Sequence, residues 1–426
     1  MTLTIGIAPD SFKGTLSAVE AARAMALGAR RVYPDAEILQ MPMADGGEST
    51  AALLSRATGG TAVTLPTTDP LGRPIQATVY RLGDDTTGGG STGDGSTGGG
   101  STGDDTTGGG STGDGSTGGG STGDGSTGRG STWAVDTAAA SGLTLIAPDE
   151  RDPGRTCSAG TGALIRAAAD RGARTVILGL GGSATVDGGM GLCRALGVRW
   201  LDPAGNDLPP GGDALVRLAT VDCGSVPPAI RDLHIRVAHD VHSPLTGPQG
   251  AAAIFAPQKG ATPAGVRRLA ASLERLAEVL EALAAPGLPQ RPGTGAAGGI
   301  GASLVAMLGA TLEPGARLVF EQAGWATHLN RCDLVLVAEG RLDAQTAAGK
   351  APAYVAAEAA RLTIPVLAVA GILGPGAHTV PHLQQVEAIH EKMPDTLPSP
   401  DEAATQLAAA TERLVKRWRR DATTRD

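Results

Sequence analysis

The sequence predicts an α/β protein of two domains, one built on a doubly wound parallel sheet and a second α/β domain inserted into it. Three observations support this prediction. The chain has 426 residues, enough for two or three domains at roughly 150 residues each. Apolar segments typical of buried strands alternate with amphipathic helical segments, as in parallel sheets with helices on both faces. Gly-rich and charged loops follow the strands, as in ligand-binding folds of the Rossmann or flavodoxin type.

The N-terminal segment shows the alternation most clearly. Leu3–Ala8 has the pattern of a buried strand, and a helix begins at Ser17, where Ser17 and Glu20 form an S-x-x-E capping box. A second strand is predicted over Glu37–Met41 and a second helix over Glu48–Ala57. This segment is therefore assigned to the parallel α/β sheet.

A low-complexity array follows. Residues Gly83 to Thr132 form five copies of a ten-residue unit, which hold 22 of the 64 glycines. The array has no apolar side chain to bury against the entropy cost of ordering, so we predict disorder over 83–132. Its flanks, Gln76–Leu82 and Thr132–Asp136, have the pattern of short strands. We predict an insertion at the tip of a hairpin, where insertions are tolerated.

The rest of the chain continues the alternation. A long helix is predicted to begin with Thr262 as N-cap, and the last helix begins near Pro400. Residues 1–65 and 290–426 are assigned to the doubly wound domain, and residues 66–289 to the inserted domain. The other predicted elements are the strands Arg174–Leu180, Ile235–Ala238, Asp333–Ala338 and Pro365–Ala370 and the helix Gly189–Leu196.

Charge and hydropathy exclude several classes of protein. The net charge is −8, and the array, with seven Asp and one Arg, carries −6 of it. The folded part therefore lacks the basic excess of nucleic-acid-binding proteins. No apolar run reaches the roughly 18 residues of a membrane span, and the N-terminus has no basic signal-peptide region. The four cysteines are scattered and form no CxxC pair, so we predict reduced thiols and a cytoplasmic protein. With nucleic acid and membrane excluded, we expect its partners to be small molecules.

Lysine is scarce and is concentrated in unusual places. The chain has 30 Arg and only five Lys, and three of the five, Lys13, Lys259 and Lys350, lie in Gly-rich loops. Where Arg is the default cation, a loop Lys indicates that a compact ammonium is needed.

Two candidate loops lie near the N-terminus. The segment APDSFKGTLS from 8 to 17 joins a strand to a helix N-terminus, a position suited to binding an anion. The segment MADGGEST from 43 to 50 combines carboxylates with paired glycines that admit a ligand to the backbone, although either acid could serve only as a helix cap. The candidate residues are Asp10, Ser11 and Lys13 in the first loop and Asp45, Gly46, Gly47 and Glu48 in the second.

A third loop has the sequence GLGGSATVDGG from 179 to 189. It fails the dinucleotide fingerprint GxGxxG because Ala184 stands where the last glycine belongs. Its glycines, hydroxyls and acid suit a phosphate chain beside a proton acceptor. The candidate residues are Gly181, Gly182, Ser183, Thr185 and Asp187.

The fourth and fifth loops carry further charged groups. The segment HDVHSPLTG begins at 239; its two His and one Asp lack a third ligand at zinc spacing, so Asp240 is assigned instead to Mg²⁺. The segment AEGRLDAQTAAGKAP from 338 to 352 would be costly to desolvate unless a ligand used its charges. Its candidate residues are Arg341, Asp343, Gln345 and Lys350. Cations, carboxylates and Gly-rich backbone together are the mixture that phosphoryl transfer needs.

Six strings in order resemble the type-1 glycerate kinase family: APDSFKGTLSA, MADGGEST, GLGGSATVDGG, PLTGPQGAAAIFAPQKGA, GAAGGIGASL and AEGRLDAQTAAGKAP. The resemblance runs from Ile5 to about Gly371 outside the array. It implies ATP-dependent phosphorylation of D-glycerate, on the 2-hydroxyl, with Mg²⁺, in a site between two α/β domains. The sequence departs from the family pattern at Val186, His242 and Ser243, where the family has Asn, Asp and Asn, which puts polar contacts of two loops in doubt.

Roles within such a site follow from residue type. Lys13 and Lys350 are predicted to hold phosphate or carboxylate groups, and Arg341 to stabilise transition-state charge. Asp187 is the first choice for the acceptor of the substrate hydroxyl proton. Asp240 and Asp343 are the choices for Mg²⁺.

Two other functions remain open from the sequence. One is a nicotinamide-dependent 2-hydroxyacid oxidoreductase, against which the failed GxGxxG counts. The other is a catalytically decayed paralogue that binds a small molecule, supported only by the departures at Val186, His242 and Ser243. The sequence does not show whether the 2-hydroxyl or the 3-hydroxyl is the phosphoryl acceptor. It also leaves the oligomeric state open, a homo-oligomer included.

Overall fold

The computed structural model describes residues 2–83, 131–284, 286–394 and 396–423. The predicted disordered array, 83–132, lies almost entirely outside these residues. The described strands are β1 Thr4–Pro9, β2 Glu37–Gln40, β3 Thr61–Thr68, β4 Pro74–Arg81, β5 Ser131–Asp136, β6 Ala173–Gly179, β7 Arg199–Leu201, β8 Thr220–Asp222, β9 His234–His239, β10 Thr311–Pro314, β11 Leu334–Leu342, β12 Val366–Leu373 and β13 Gln385–Ala388.

Two of the described helices begin at caps that the sequence patterns predict. Ser17 caps the first helix in a capping box with Glu20, and Thr262 caps the eighth through the N–H of Gly265. The helices are α1 Ala18–Arg30, α2 Thr50–Ala57, α3 Ala138–Ser141, α4 Ala159–Asp170, α5 Met190–Ala195, α6 Pro228–Arg231, α7 Ala251–Phe255, α8 Pro263–Leu283, α9 Ile300–Leu308, α10 Gly315–Gln322, α11 Trp325–Leu329, α12 Ala344–Ala347, α13 Ala351–Arg361 and α14 Pro400–Thr423.

The first sheet has five parallel strands in the order β13-β12-β11-β1-β2. Numbered along this sheet alone, the order is the 2-1-3-4-5 arrangement of flavodoxin-like proteins. Successive side chains of β11 point to opposite faces: Leu334 and Leu336 pack in a cluster with α1 and α14, and Val335 and Val337 in a cluster with α13. The predicted doubly wound parallel sheet is therefore confirmed, and its switch point lies between β1 and β11.

The second sheet has six strands in the order β10-β9-β6-β5-β4-β3. Its first four strands are parallel, whereas β5-β4 and β4-β3 are antiparallel. The flanks of the array pair as predicted, with Tyr80 opposite Ala134 and the Leu82 N–H bonded to the Thr132 carbonyl at 2.9 Å. A short antiparallel pair, β7-β8, lies outside both sheets.

The two sheets are joined by a shared apolar cluster. Leu54 of α2 and Val319 of α10 are fully buried in it, together with Ala238 at the end of β9 and Val337 of β11. The predicted domain boundaries at 65/66 and 289/290 remain proposals. Because β3 and β10 pair within the six-stranded sheet, we propose that the inserted domain begins before β3 and ends after β10.

Among the described residues, no helix is both long enough and apolar enough to cross a membrane.

Candidate active site

Two cavities lie at the carboxyl ends of the parallel strands. The larger, of about 1110 Å³, is lined by loops from both sheets. The smaller, of about 250 Å³, is lined by the loop after β11 and by the segment that precedes α14. The residues that line both cavities are Asp10, Ser11, Phe12, Lys13, Thr15 and Asp45. We call this set the shared wall; it stands at the β1/β11 switch point, where ligands bind in such sheets.

The loop after β1 forms most of the shared wall. The Asp10 N–H donates to the Ala338 carbonyl of β11 at 2.8 Å, which ties the loop to the neighbouring strand. The Ser11 N–H donates to Asp10 Oδ1 at 2.6 Å. Lys13 is exposed and lines both cavities, as its predicted role requires.

Four carboxylates gather around this wall from different strands: Asp10 after β1, Asp45 after β2, Asp240 after β9 and Glu339 within β11. Burial, together with the charges of Asp45 and Glu339, raises the pKa of Asp10 to about 8. Burial and the charge of Asp45 also raise the pKa of Asp240. These acids therefore repel one another in a site that is already costly for negative charge.

The cations of the site face these acids. Lys13 opposes the rise in the pKa of both Asp10 and Asp240. Lys350 Nζ lies 3.2 Å from Glu339 Oε1. Burial alone would lower the pKa of Lys350, but the Glu339 carboxylate outweighs burial and raises it. The predicted clustering of Lys13, Lys350 and carboxylates is thus observed.

The loop after β11 lines the smaller cavity with all four of its predicted residues, Arg341, Asp343, Gln345 and Lys350. Asp343 caps α12 by accepting from the Gln345 N–H at 2.8 Å, and its other oxygen accepts from Arg341 Nε at 3.0 Å. The carboxylate predicted to bind metal therefore already holds a helix terminus and a guanidinium. Apolar side chains complete this cavity, and the sequence patterns did not single them out: Ile372, Ile389, Met393 and Leu397.

The paired glycines bring loops of the two sheets into contact. The Gly181 N–H donates to the Gly46 carbonyl at 3.1 Å, and a Cβ on Gly181 would lie 2.5 Å from Gly47 Cα. Gly46 has a φ of +95°, and a Cβ there would lie 2.7 Å from the Ala238 backbone. These glycines therefore permit a close backbone approach between the two loops. Gly46 itself lines neither cavity, whereas Gly47, Glu48, Gly181 and Gly182 line the larger one.

Some of the predicted residues of the third loop line the larger cavity, and others are buried in the interior. Ser183 lines the larger cavity and accepts a hydrogen bond from Lys259 Nζ at 2.8 Å. Thr185 is fully buried, lines neither cavity, and offers its carbonyl to the same ammonium at 2.7 Å. Lys259 also lines the larger cavity. It was not among the candidate site residues, although the scarcity of lysine could have indicated it.

Asp187 lies outside both cavities and is fully buried. One oxygen accepts from the Ser158 N–H at 2.9 Å, the Ser158 hydroxyl at 2.8 Å and the Gly191 N–H at 3.1 Å; the other accepts from the Gly189 N–H at 3.1 Å. A carboxylate with these four bonds holds the start of α5. This position does not fit the predicted role of proton acceptor for a substrate.

The departures from the family pattern lie in different surroundings. Val186 is fully buried in the apolar core of the six-stranded sheet domain, outside both cavities. His242 reaches from the loop after β9 to the loop after β11, where its Nε2 lies 3.2 Å from the Ala348 carbonyl. His239 bonds its own loop, with Nδ1 3.0 Å from the Val241 carbonyl, and burial lowers its pKa. Within the described residues, no three His, Cys, Asp or Glu side chains converge closely enough to hold a metal ion.

Comparison with known proteins decides the family. The model of the glycerate kinase family matches residues 5–90 and 117–419. The chain belongs to the glycerate kinase family. Glycerate kinase from Bacillus subtilis (strain 168) is 37% identical over 414 residues, 97% of this chain and 96% of that protein. Glycerate 2-kinase from Escherichia coli (strain K12) is 38% identical over 387 residues, 91% of this chain and 90% of that protein.

The crystal structure of a protein named glycerate kinase 2 from Salmonella typhimurium LT2 has the same fold. It superposes with a TM-score of 0.77 at 35% identity and covers 99% of this chain and 100% of that one. Membership of the glycerate kinase family makes the chain a kinase, as the resemblance implied, and gives the oxidoreductase hypothesis no support. The family model leaves residues 91–116 unmatched, and this gap falls within the repeat array.

Proposed function

We propose that this glycerate kinase transfers the terminal phosphoryl group of ATP to the 2-hydroxyl of D-glycerate. The observation that carries the proposal is the shared wall. A phosphoryl transfer enzyme must bring two substrates together at one point. Lys13, Asp10 and Asp45 line both cavities, so a group reaching inward from either cavity meets the same side chains.

The smaller cavity suits the adenine end of the nucleotide. Ile372, Ile389, Met393 and Leu397 give it an apolar lining, and planar bases bind well between such side chains when aromatic residues are few. Gln345 and Gln406 line the same cavity and carry amide groups that can pair with a base edge. The phosphate chain would then run toward Lys350 and Lys13, whose compact charges suit phosphate oxygens.

The acids of the site suit a bound Mg²⁺. Asp10 and Asp240 have raised pKa values because buried carboxylates stand close to Asp45, and a divalent cation would relieve that repulsion. Mg²⁺ is usually held by one or two carboxylates together with substrate phosphates, so Asp45 and Asp240 suffice as protein ligands. Bound Mg²⁺ would neutralise charge on the transferring phosphate.

Asp10 takes the place of Asp187 as the proposed proton acceptor. It lines both cavities, whereas Asp187 lines neither. A general base must lie within reach of the proton that it accepts, and burial raises the pKa of Asp10 above that of an ordinary carboxyl group, which makes its carboxylate a stronger base. Asp10 would accept the proton of the attacking hydroxyl while Lys13 and Lys350 hold the phosphate oxygens.

The test is a coupled assay of ADP release with D-glycerate and MgATP, with NMR of the phosphorylated product. We expect ADP and 2-phosphoglycerate in equal amounts and no reduction of NAD⁺ to NADH by 2-hydroxyacids. Formation of 3-phosphoglycerate would refute the choice of hydroxyl alone. Absence of glycerate-dependent release of a nucleoside diphosphate, with ATP and with other nucleoside triphosphates, would refute the proposed reaction.

A further inference from the structure

Arg151 presents an unexplained charge to the larger cavity. It comes directly after the short 3-10 helix Pro148–Glu150. Its side chain is half-buried and lines the cavity. Its Nε atom is buried without a hydrogen-bond partner, and within the described ranges its guanidinium makes no hydrogen bond or ion pair. Buried donors without a partner are rare in folded proteins. The rest of the half-buried guanidinium lines the cavity, so an anionic ligand there would supply acceptors for a group that has none.

A second basic group, Lys259, lies beside Arg151. A Cβ on Gly260 would be 2.8 Å from Arg151 Cβ and 2.4 Å from its carbonyl oxygen, so the Lys259–Gly260 turn packs directly on Arg151. Lys259 is only 3% exposed and lines the same cavity. Its Nζ donates to Ser183 Oγ and to the Thr185 carbonyl, which leaves a third N–H when the amine is protonated.

The carboxylates near this pair are Asp187 and Glu48. Asp187 is the carboxylate that acts on Lys259, and its oxygens already accept four hydrogen bonds. Glu48 lies on the facing loop, against Gly182. The shared wall carries Lys13 beside the acids Asp10 and Asp45, and in the proposed function Lys13 holds the phosphate group. Arg151, with Lys259 and Ser183 beside it, is therefore a cation of the larger cavity that remains available to a second anionic group.

We propose that Arg151, supported by Lys259 and Ser183, binds the carboxylate of the acceptor substrate and thereby sets the preference for a hydroxyacid over an uncharged polyol. This assignment rests on the proposed function, because it places the acceptor in the larger cavity and its hydroxyl toward the shared wall. A guanidinium suits a carboxylate because its planar fork makes two parallel hydrogen bonds. A nucleotide phosphate has the same charge, and the experiment distinguishes the two sources.

The experiment compares the parent with Arg151→Gln, Arg151→Lys and the matched control Arg155→Gln. Arg155 is exposed, lies on the same loop and lines neither cavity. We expect Arg151→Gln to raise the KM for D-glycerate about 10- to 100-fold, the effect of losing a hydrogen bond between charged groups. The KM for ATP should change less than about twofold, and Arg151→Lys should show an intermediate loss. The KM values for glycerol and glyceramide, which lack the carboxylate, should be the same in Arg151→Gln as in the parent.

Binding of D-glycerate, measured by calorimetry on the same four proteins with thermal melting as a fold control, separates this proposal from the proposed reaction. If the parent binds D-glycerate without releasing ADP, the reaction is wrong, and weaker binding by Arg151→Gln still supports the carboxylate site. A rise in the KM for ATP alone would assign Arg151 to phosphate. Unchanged D-glycerate affinity in Arg151→Gln, an equal loss with glyceramide, or an equal loss in Arg155→Gln would each overturn the proposal.

Discussion

Lys259 has an environment that strongly opposes its own charge. It is buried beneath the wall of the larger cavity, and burial lowers its pKa to about 7, although the Asp187 carboxylate acts in the opposite direction. In the unfolded chain the pKa returns to about 10.4. Folding below pH 7 therefore buries a charge, whereas folding at pH 10 buries a neutral amine at little cost.

We predict a pH-dependent difference in stability between the parent and Lys259→Met. The folded state binds fewer protons than the unfolded state between about pH 7 and pH 10, so the parent gains stability as the pH rises through this window. The advantage of Lys259→Met should be largest at pH 6 to 7 and shrink toward pH 10. Urea unfolding at several pH values measures it. The exposed Lys392→Met serves as control, and a parallel pH dependence in both variants would contradict the assignment.

For single residues, the sequence predicts which residue types belong to the site better than it predicts where their side chains point. The pattern places Lys13, Asp45 and Lys350 after parallel strands, and in the structure all three line the smaller cavity. It cannot show that Asp187 points inward, since the group that binds it, Ser158, is 29 residues away in the chain. Arg151 was missed for a similar reason, because it lies outside any Gly-rich loop.

At the scale of elements, the glycine loops after β2 and β6 act as one unit. Gly181 lies against Gly47 so closely that no side chain fits between them. The two loops carry Asp45 and Ser183, which line the larger cavity. The distance between the two halves of the site thus depends on backbone contacts that only glycine allows.

We predict that Gly181→Ala impairs both stability and activity. Its Cβ would lie 2.5 Å from Gly47 Cα and 2.8 Å from the Glu48 nitrogen, so the loops must separate. We expect a loss of about 1–3 kcal/mol in the free energy of unfolding, as in other overpacked sites, and more than tenfold in kcat/KM, since small misplacements in a site are costly. Denaturant unfolding and steady-state kinetics measure the two effects.

Gly265→Ala is the matched control for this substitution. Gly265 lies in the first turn of α8, and the nearest atom to an added Cβ is Thr262 Oγ1 at an ordinary 3.5 Å. Alanine there should leave activity unchanged and raise stability by up to about 1 kcal/mol. If Gly181→Ala behaves like Gly265→Ala, the close loop contact is not required.

The sequence analysis predicts eight of the thirteen described strands and five of the fourteen described helices, among them β1 and α8. It does not predict β3, β7, β8, β10 or β13. Of these, β10 and β13 are four-residue edge strands with half-exposed side chains and no strong pattern. It also ends the strand before Glu339, although β11 extends to Leu342. There, pairing with β12 outweighs the preference of charged residues for loops.

For the whole molecule, the pairing of β4 with β5 bears on the role of the array. The flanks of the array are held together by strand pairing and by the bond from Leu82 to Thr132. Neither cavity is lined by β4 or β5. The family model also passes over residues 91–116.

We predict that deleting residues 85–129 leaves catalysis intact. The paired flanks can close through a short turn, and the cost of loop closure changes by only about 0.6 kcal/mol per doubling of loop length. The deletion variant should keep kcat/KM for D-glycerate within about twofold and melt at the same temperature or higher. A loss beyond tenfold in a variant that is folded by circular dichroism would show that the array contributes to the site.

The central claim is that phosphoryl transfer takes place at the wall shared by the two cavities. Lys13 is the cation that lines both cavities among the described residues, and it is exposed, so its loss should leave stability nearly unchanged. The direct measurement is kcat of Lys13→Ala with both substrates saturating, together with the melting temperature and the Kd for each substrate. We predict a fall of about a hundredfold in kcat, as for removal of one preorganised charge-stabilising donor, with both substrates still bound and the melting temperature unchanged. Activity retained within a few-fold would contradict the claim.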